Sequence, residues 1–226
     1  MAINKALTPV WMKALIIVLA FLFVAGIGFA GIGSIPGCGA GPLLPQPNAG
    51  IDTGASTGSV ETTAELAAQY TQQITSLEAS LTADPKNYDI LVAQGENYLG
   101  WALQYATLTN SLPDTSSTVW ASAISYFDRA IKIRATDGTV LGDYAMALFY
   151  SGETTAAIAA GEKSRTLDPT GAQNLYNLGN YYSAAGDTAK ALEAYKACLT
   201  ANSASASPNA DLAQAAQTQI TSLGGQ

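Results

Sequence analysis

The 226-residue chain holds 17 acidic against 10 basic residues, a formal net charge of −7, with only 12% charged residues, two cysteines and no histidine. Without histidine, Ser-His-Asp and Cys-His catalytic groups and histidine-ligated zinc are excluded, and two cysteines far apart make neither a disulfide framework nor a metal cluster. All 17 acidic residues lie at or beyond Asp52, whereas Lys5 and Lys13 precede it, so the part after residue 50 keeps eight bases and a charge of −9, which repels phosphate backbones and argues against nucleic acid as a partner.

Residues 14–33 read ALIIVLAFLFVAGIGFAGIG, an uncharged run that spans about 30 Å as a helix and matches a bilayer core. Trp11 stands where an indole favours the headgroup zone. Lys5 and Lys13 precede the run and no base follows it before Lys86, so the positive-inside bias keeps the N-terminus cytoplasmic and puts everything after Ser34 outside. Residues 1–33 therefore read as a transmembrane signal-anchor, the run being longer than the about 7–15 apolar residues of a cleaved signal peptide. Cleavage remains an alternative. So does lipidation of Cys38, because Ile35-Pro36-Gly37-Cys38 loosely resembles a lipobox, although its proline is atypical.

Residues 34–60 contain four of the nine prolines, many glycines and a single ionised group, Asp52. That composition predicts a disordered linker spanning on the order of 30 Å, stiffened around Pro42, Pro45 and Pro47.

Residues 61–226 read as one helical domain. Leu66, Tyr70, Ile74, Leu77 and Leu81 recur at three- and four-residue spacing and predict a helix over 61–83. A second helix follows Pro85 and runs through Trp101 and Tyr105; a loop over 110–118 then leads to a third, with Ser117 or Thr118 as N-cap. Residues 138–169 and 172–203 align at an offset of 34: Leu141 with Leu175, Gly152 with Gly186, Thr154 with Thr188, Ala157 with Ala191. Asp84-Pro85 and Asp168-Pro169 are 84 apart, two such periods plus 16, so the unit over 87–135 carries an insertion of about 16 residues. A last helix over 208–223, with a face of Gln, Asn and Thr and a stop at Gly224, suits the polar end cap of a solenoid. Eight helices result.

The unit over 172–203 reads Leu175-x-x-Leu178-Gly179-x-x-Tyr182, Gly186-Asp187 at the turn, then Ala191-x-x-x-Tyr195 and Cys198, and it resembles the tetratricopeptide repeat. Gly179 and Ala191 are small where two helices cross, Tyr182 and Tyr195 fill the space between them, and Gly186 suits a left-handed helix end. The unit over 138–171 follows the pattern with Leu141, Tyr144, Ala145, Leu148, Gly152 and Ala157, but has Gly161 where an aromatic is expected, which predicts a loosely packed second helix. The unit over 87–135 shows Leu91, Gln94, Gly95 and Tyr98, then Ala123, Phe127, Ala130 and Ile131.

The resemblance implies an all-α, TPR-like α-solenoid of antiparallel helix pairs, here preceded by one transmembrane helix and a disordered linker, as in single-pass bacterial envelope proteins of this kind. It implies a protein or peptide partner, no catalytic residue, no cofactor and no metal. In the family the first helix of each unit lines a concave groove, which transfers to Val92, Glu96 and Leu99, to Met146, Phe149 and Tyr150, and to Tyr176, Asn180 and Ser183. Packing against a neighbouring helix is the competing account of these side chains. The groove helices of the two regular units lack the Lys and Arg with which carboxylate-clamp repeats hold acidic tails. The expected function is a membrane-tethered interaction scaffold outside the cytoplasm, an assembly or chaperone-like factor. The alternatives are an accessory subunit of a membrane enzyme or transport complex, and a cleaved or lipidated secreted protein.

Overall fold

The computed structural model describes residues 62–114 and 117–225. The anchor over 1–33, the linker over 34–60 and Cys38 lie outside the described residues. Among the described residues, eight helices and no strand are present: α1 Thr63–Ala83, α2 Tyr88–Thr109, α3 Thr118–Ile133, α4 Gly138–Tyr150, α5 Thr154–Leu167, α6 Ala172–Ala184, α7 Thr188–Ala204 and α8 Ala210–Ser222. None of them is long and apolar enough to cross a membrane.

Short polar side chains start most of these helices, because the first backbone N–H groups of a helix have no partner within it. Thr62 and Glu65 form a reciprocal capping box on α1, and the side chains of Asn87, Ser117, Asp137, Asp187 and Asn209 accept backbone N–H groups at the starts of α2, α3, α4, α7 and α8. Helices α4 and α6 stop alike: Gly152 has φ +92° and Gly186 φ +79°, a left-handed backbone that glycine adopts without a Cβ penalty.

The pairs α2/α3, α4/α5 and α6/α7 pack antiparallel, each stacking on the next, with α1 before the first and α8 after the last. The first helices also touch each other, α2 with α4, α4 with α6, and α6 with α8, while α3, α5 and α7 do not touch one another. The layer of first helices is therefore the tighter one and forms the inner side of the curve. This is an all-helical, TPR-like solenoid.

Close helix crossing explains the small residues at the repeat positions. A Cβ on Gly179 would lie 2.5 Å from Tyr195 Cε1, and one on Gly95 would lie 2.6 Å from the Phe127 ring. Each glycine lets an aromatic from the paired helix lie close against its backbone, and both rings are fully buried. Cys198 is fully buried in the same cluster as Tyr195, and burial pushes its thiol up to about 12.

Two details depart from the sequence expectation. The space beside Gly161 is not loose: it is filled from the next unit, by Leu178 Cδ1 at 3.0 Å and the Tyr181 ring at 3.7 Å from where a Cβ would lie. The last helix begins at Ala210, capped by Asn209, rather than at Pro208. Asn202 fixes that start, donating to the Asn209 carbonyl and accepting the Asn209 N–H, both at 2.9 Å. The first pair absorbs its extra residues in α2, 22 residues long against 13 in α4 and α6, and in the α2–α3 loop. The indole of Trp120 donates to the Pro113 carbonyl at 3.3 Å and ties that loop to the core.

Candidate functional site

The inner layer differs from the outer one in charge. The domain's eight bases are Lys86, Arg129, Lys132, Arg134, Lys163, Arg165, Lys190 and Lys196, and none lies on α2, α4, α6 or α8. The inner helices carry Asp89, Glu96, Asp143 and Asp211 instead. Three of the outer bases form ion pairs with their neighbours: Lys132 with Asp128, Arg165 with Glu162 and Glu193, both at 2.8 Å, and Lys190 with Asp187 at 3.2 Å.

Of the nine groove positions, Leu99, Met146 and Tyr176 are buried, at 0%, 2% and 3% exposure. Leu99 and Met146 belong to the same apolar cluster as Trp120 and Phe127, and Tyr176 tilts against Tyr195 with ring centroids 5.6 Å apart. Val92, Glu96, Phe149, Tyr150, Asn180 and Ser183 are part-exposed. Phe149 and Tyr150 form one aromatic group, edge to face at 5.4 Å, with Tyr150 stacked on Trp120 at 5.4 Å and Phe149 tilted onto Tyr181 at 4.7 Å. Asn180 is partly occupied within the fold, its Oδ1 accepting from the Tyr195 hydroxyl at 2.7 Å.

The most unusual residues of the inner layer are ones that the register argument passes over. Asp143 is the single charge of α4, is 2% exposed, and its Oδ1 has no hydrogen-bond partner. Burial first, then the carboxylates of Glu96 and Asp137, push its carboxyl up to about 8. Glu96 is also raised, by burial and then by Asp137. On α6, Asn177 Nδ2 and the Tyr181 hydroxyl are buried without an acceptor. Burial raises Tyr181 far above an ordinary phenol, with added repulsion from Tyr150 and Asp143. A visible signal existed: Asp143 and Asn177 are 34 apart, so two successive inner helices carry a polar residue at one register among apolar neighbours.

Asp137 is otherwise engaged. Its Oδ1 caps α4 and its Oδ2 accepts from the Tyr88 hydroxyl at 2.9 Å, with the Arg134 guanidinium 3.7 Å above the Tyr88 ring. Among the described residues no three His, Cys, Asp or Glu side chains stand together as a metal site.

Residues 172–205 match the tetratricopeptide repeat family. No curated protein is significantly similar to the chain in sequence. Two crystal structures of MamA share the architecture: one is 22% identical, with 70% of this chain aligned to 75% of that one, and the other 20% identical, with 75% aligned to 87%, both at a TM-score of 0.55. A tetratricopeptide repeat protein of Thermus thermophilus aligns over 70% of this chain and 95% of its own, at 16% identity and a TM-score of 0.45. At these identities the likeness concerns the fold.

Proposed function

Since residues 172–205 are a tetratricopeptide repeat and the pairs before them stack in the same way, we propose that the chain is a scaffold that binds a polypeptide along the inner face of α2, α4 and α6. The observation that carries this reading is the part-exposed Phe149–Tyr150 pair, an aromatic surface on the middle inner helix, flanked by Glu96 on one side and Asn180 and Ser183 on the other. Such a surface suits an extended or helical segment that brings its own apolar anchors.

The membrane part of the proposal rests on sequence. The uncharged run over 14–33 and the bases Lys5 and Lys13 before it support a single-pass anchor with a cytoplasmic N-terminus. The linker over 34–60 would then hold the acidic repeat domain outside, clear of the headgroups. In this reading the protein is an assembly or chaperone-like factor of a bacterial envelope.

The test uses the full-length chain in its membrane. Crosslinking in cells should trap a polypeptide partner, and Phe149→Ala with Tyr150→Ala should lower its recovery several-fold. Unchanged recovery overturns the groove assignment. Replacing residues 1–33 with an unrelated anchor should leave partner capture intact; its loss would favour an accessory-subunit role in which the helix makes the contacts. The intact mass of the mature chain distinguishes an uncut anchor from cleavage or acylation at Cys38.

A further inference from the structure

Six buried or half-buried polar residues of the inner helices want partners that the fold does not supply, Gln94 Oε1 and Asn174 Oδ1 among them. Asp143 Oδ1 lacks a donor, while Asn177 Nδ2 and the Tyr181 hydroxyl lack acceptors. Glu96 faces only other carboxylates: every charge acting on Glu96 and Asp143 is acidic, and the inner helices hold no base to answer them. A buried acceptor without a partner destabilises the fold, and a buried charge does so more strongly. The outer layer, with its paired bases, shows that the sequence supplies such partners elsewhere.

What is missing at this point has a definite chemistry. A water molecule would give Asp143 Oδ1 a hydrogen bond but would leave this acid unable to ionise beside Glu96. A metal ion is a poor fit, since no third ligand of the His, Cys, Asp or Glu type joins the pair among the described residues. A cation that brings several N–H donors meets the need: it can pair with Asp143 and Glu96 while its stem lies on the Phe149 and Tyr150 rings. Glu96 is only half-buried and gives such a group its way in.

We infer that the inner face of α2, α4 and α6 selects polypeptides carrying an arginine or lysine, whose cationic head is received by Asp143 and Glu96 beside Tyr181 and Asn177. This deepens the scaffold reading and rests on it. The site is opposite in sign to one that would hold an acidic tail, and the segregation of all eight bases away from the inner helices keeps that sign uncancelled.

The experiment selects a random-sequence peptide library, displayed on phage, against the immobilised full-length chain. Recovered peptides should share an arginine or lysine at one position. Replacing that arginine by citrulline, which keeps the shape and removes the charge, should weaken binding about 30-fold or more, as expected when one member of a buried charge pair is lost. The weakening should shrink to a few-fold in Glu96→Gln with Asp143→Asn. Peptides recovered without a basic residue, or bound equally as citrulline, overturn this inference and leave the scaffold reading standing. An arginine preference that survives in the double variant overturns the assignment to Asp143 and Glu96. Recovery of no peptide removes the scaffold reading, and this inference with it. The citrulline comparison needs no variant, so it stands even if the double substitution fails to fold.

Discussion

Replacing Asp143 by asparagine should stabilise the domain, and by an amount that depends on pH. The carboxyl is 2% exposed and its proton is held to about 8 against an ordinary 3.8. Between those values the folded chain binds a proton that the unfolded chain has released, so stability falls as pH rises. The favourable contribution is complete below about pH 4, declines through the window, and is fully lost above about pH 8. At roughly 1.36 kcal/mol per pH unit, the loss from about pH 4 to pH 7 amounts to about 4 kcal/mol, a large part of the roughly 5–15 kcal/mol that holds a typical domain together. Asparagine has the shape of the protonated acid and carries no pH-dependent penalty, and Asn177 shows that an amide is buried at the equivalent position of the next inner helix, although its Nδ2 lacks an acceptor there. The chain lends itself to this measurement, because it has no histidine to titrate in the same range. Glu96, raised in the same direction, leaves a weaker slope of the same sign in the variant. Urea unfolding of both proteins, followed by helical circular dichroism from about pH 4 to pH 8, should give curves that meet at the acid end and diverge by several kcal/mol at the alkaline end. A constant difference across that range, or a variant less stable at pH 8, would refute the reasoning.

Two further substitutions test the packing. Gly179→Ala and Gly95→Ala each drive a methyl into a buried ring, Tyr195 or Phe127, and should cost about 1–3 kcal/mol each by thermal unfolding; a neutral result would mean that the helices can separate without loss. Ser164 is fully buried, donates to the Gly138 carbonyl at 2.6 Å and accepts from Asn174 Nδ2 at 3.3 Å, so that it ties α5 to the start of α4 and to α6. Ser164→Ala leaves Asn174 Nδ2 without its partner, removes the second donor from the Gly138 carbonyl, and should cost about 1–3 kcal/mol, read as a lowered urea midpoint with an unchanged slope.

The repeat was legible because its grammar is steric. A small residue is needed where two backbones cross, an aromatic opposite it, and a glycine where the helix ends left-handed; Gly179, Tyr195 and Gly186 meet these demands within one unit. Gly161 misled because the ring beside it, Tyr181, comes from the following unit, a compensation that no single repeat displays. The inner surface was less legible for a related reason. A middle first helix packs against its own second helix, against the preceding second helix and against two other first helices. A register taken from the family therefore names a face without saying how deep each position lies. Leu99, Met146 and Tyr176 share that face with Phe149 and Tyr150 but are covered by neighbours. Asp143 and Asn177 sit at matching positions, and an isolated polar residue in an apolar helix reads from sequence as an irregularity until its missing partner is seen.

The stacking order has a kinetic consequence. Each helix leans mainly on those next to it in sequence, so the array has no single locus at which all cohesion is lost together, and its two ends answer to fewer neighbours than its middle. Helices α1 and α8 should fray first, with amide protons that exchange fastest, while α4 and α5 exchange last. The acid that the fold tolerates least as an anion is thus lodged in the stretch that opens most rarely. A ligand that relieves it would slow exchange in α4 and its immediate neighbours, and leave the fraying of the two end helices almost untouched.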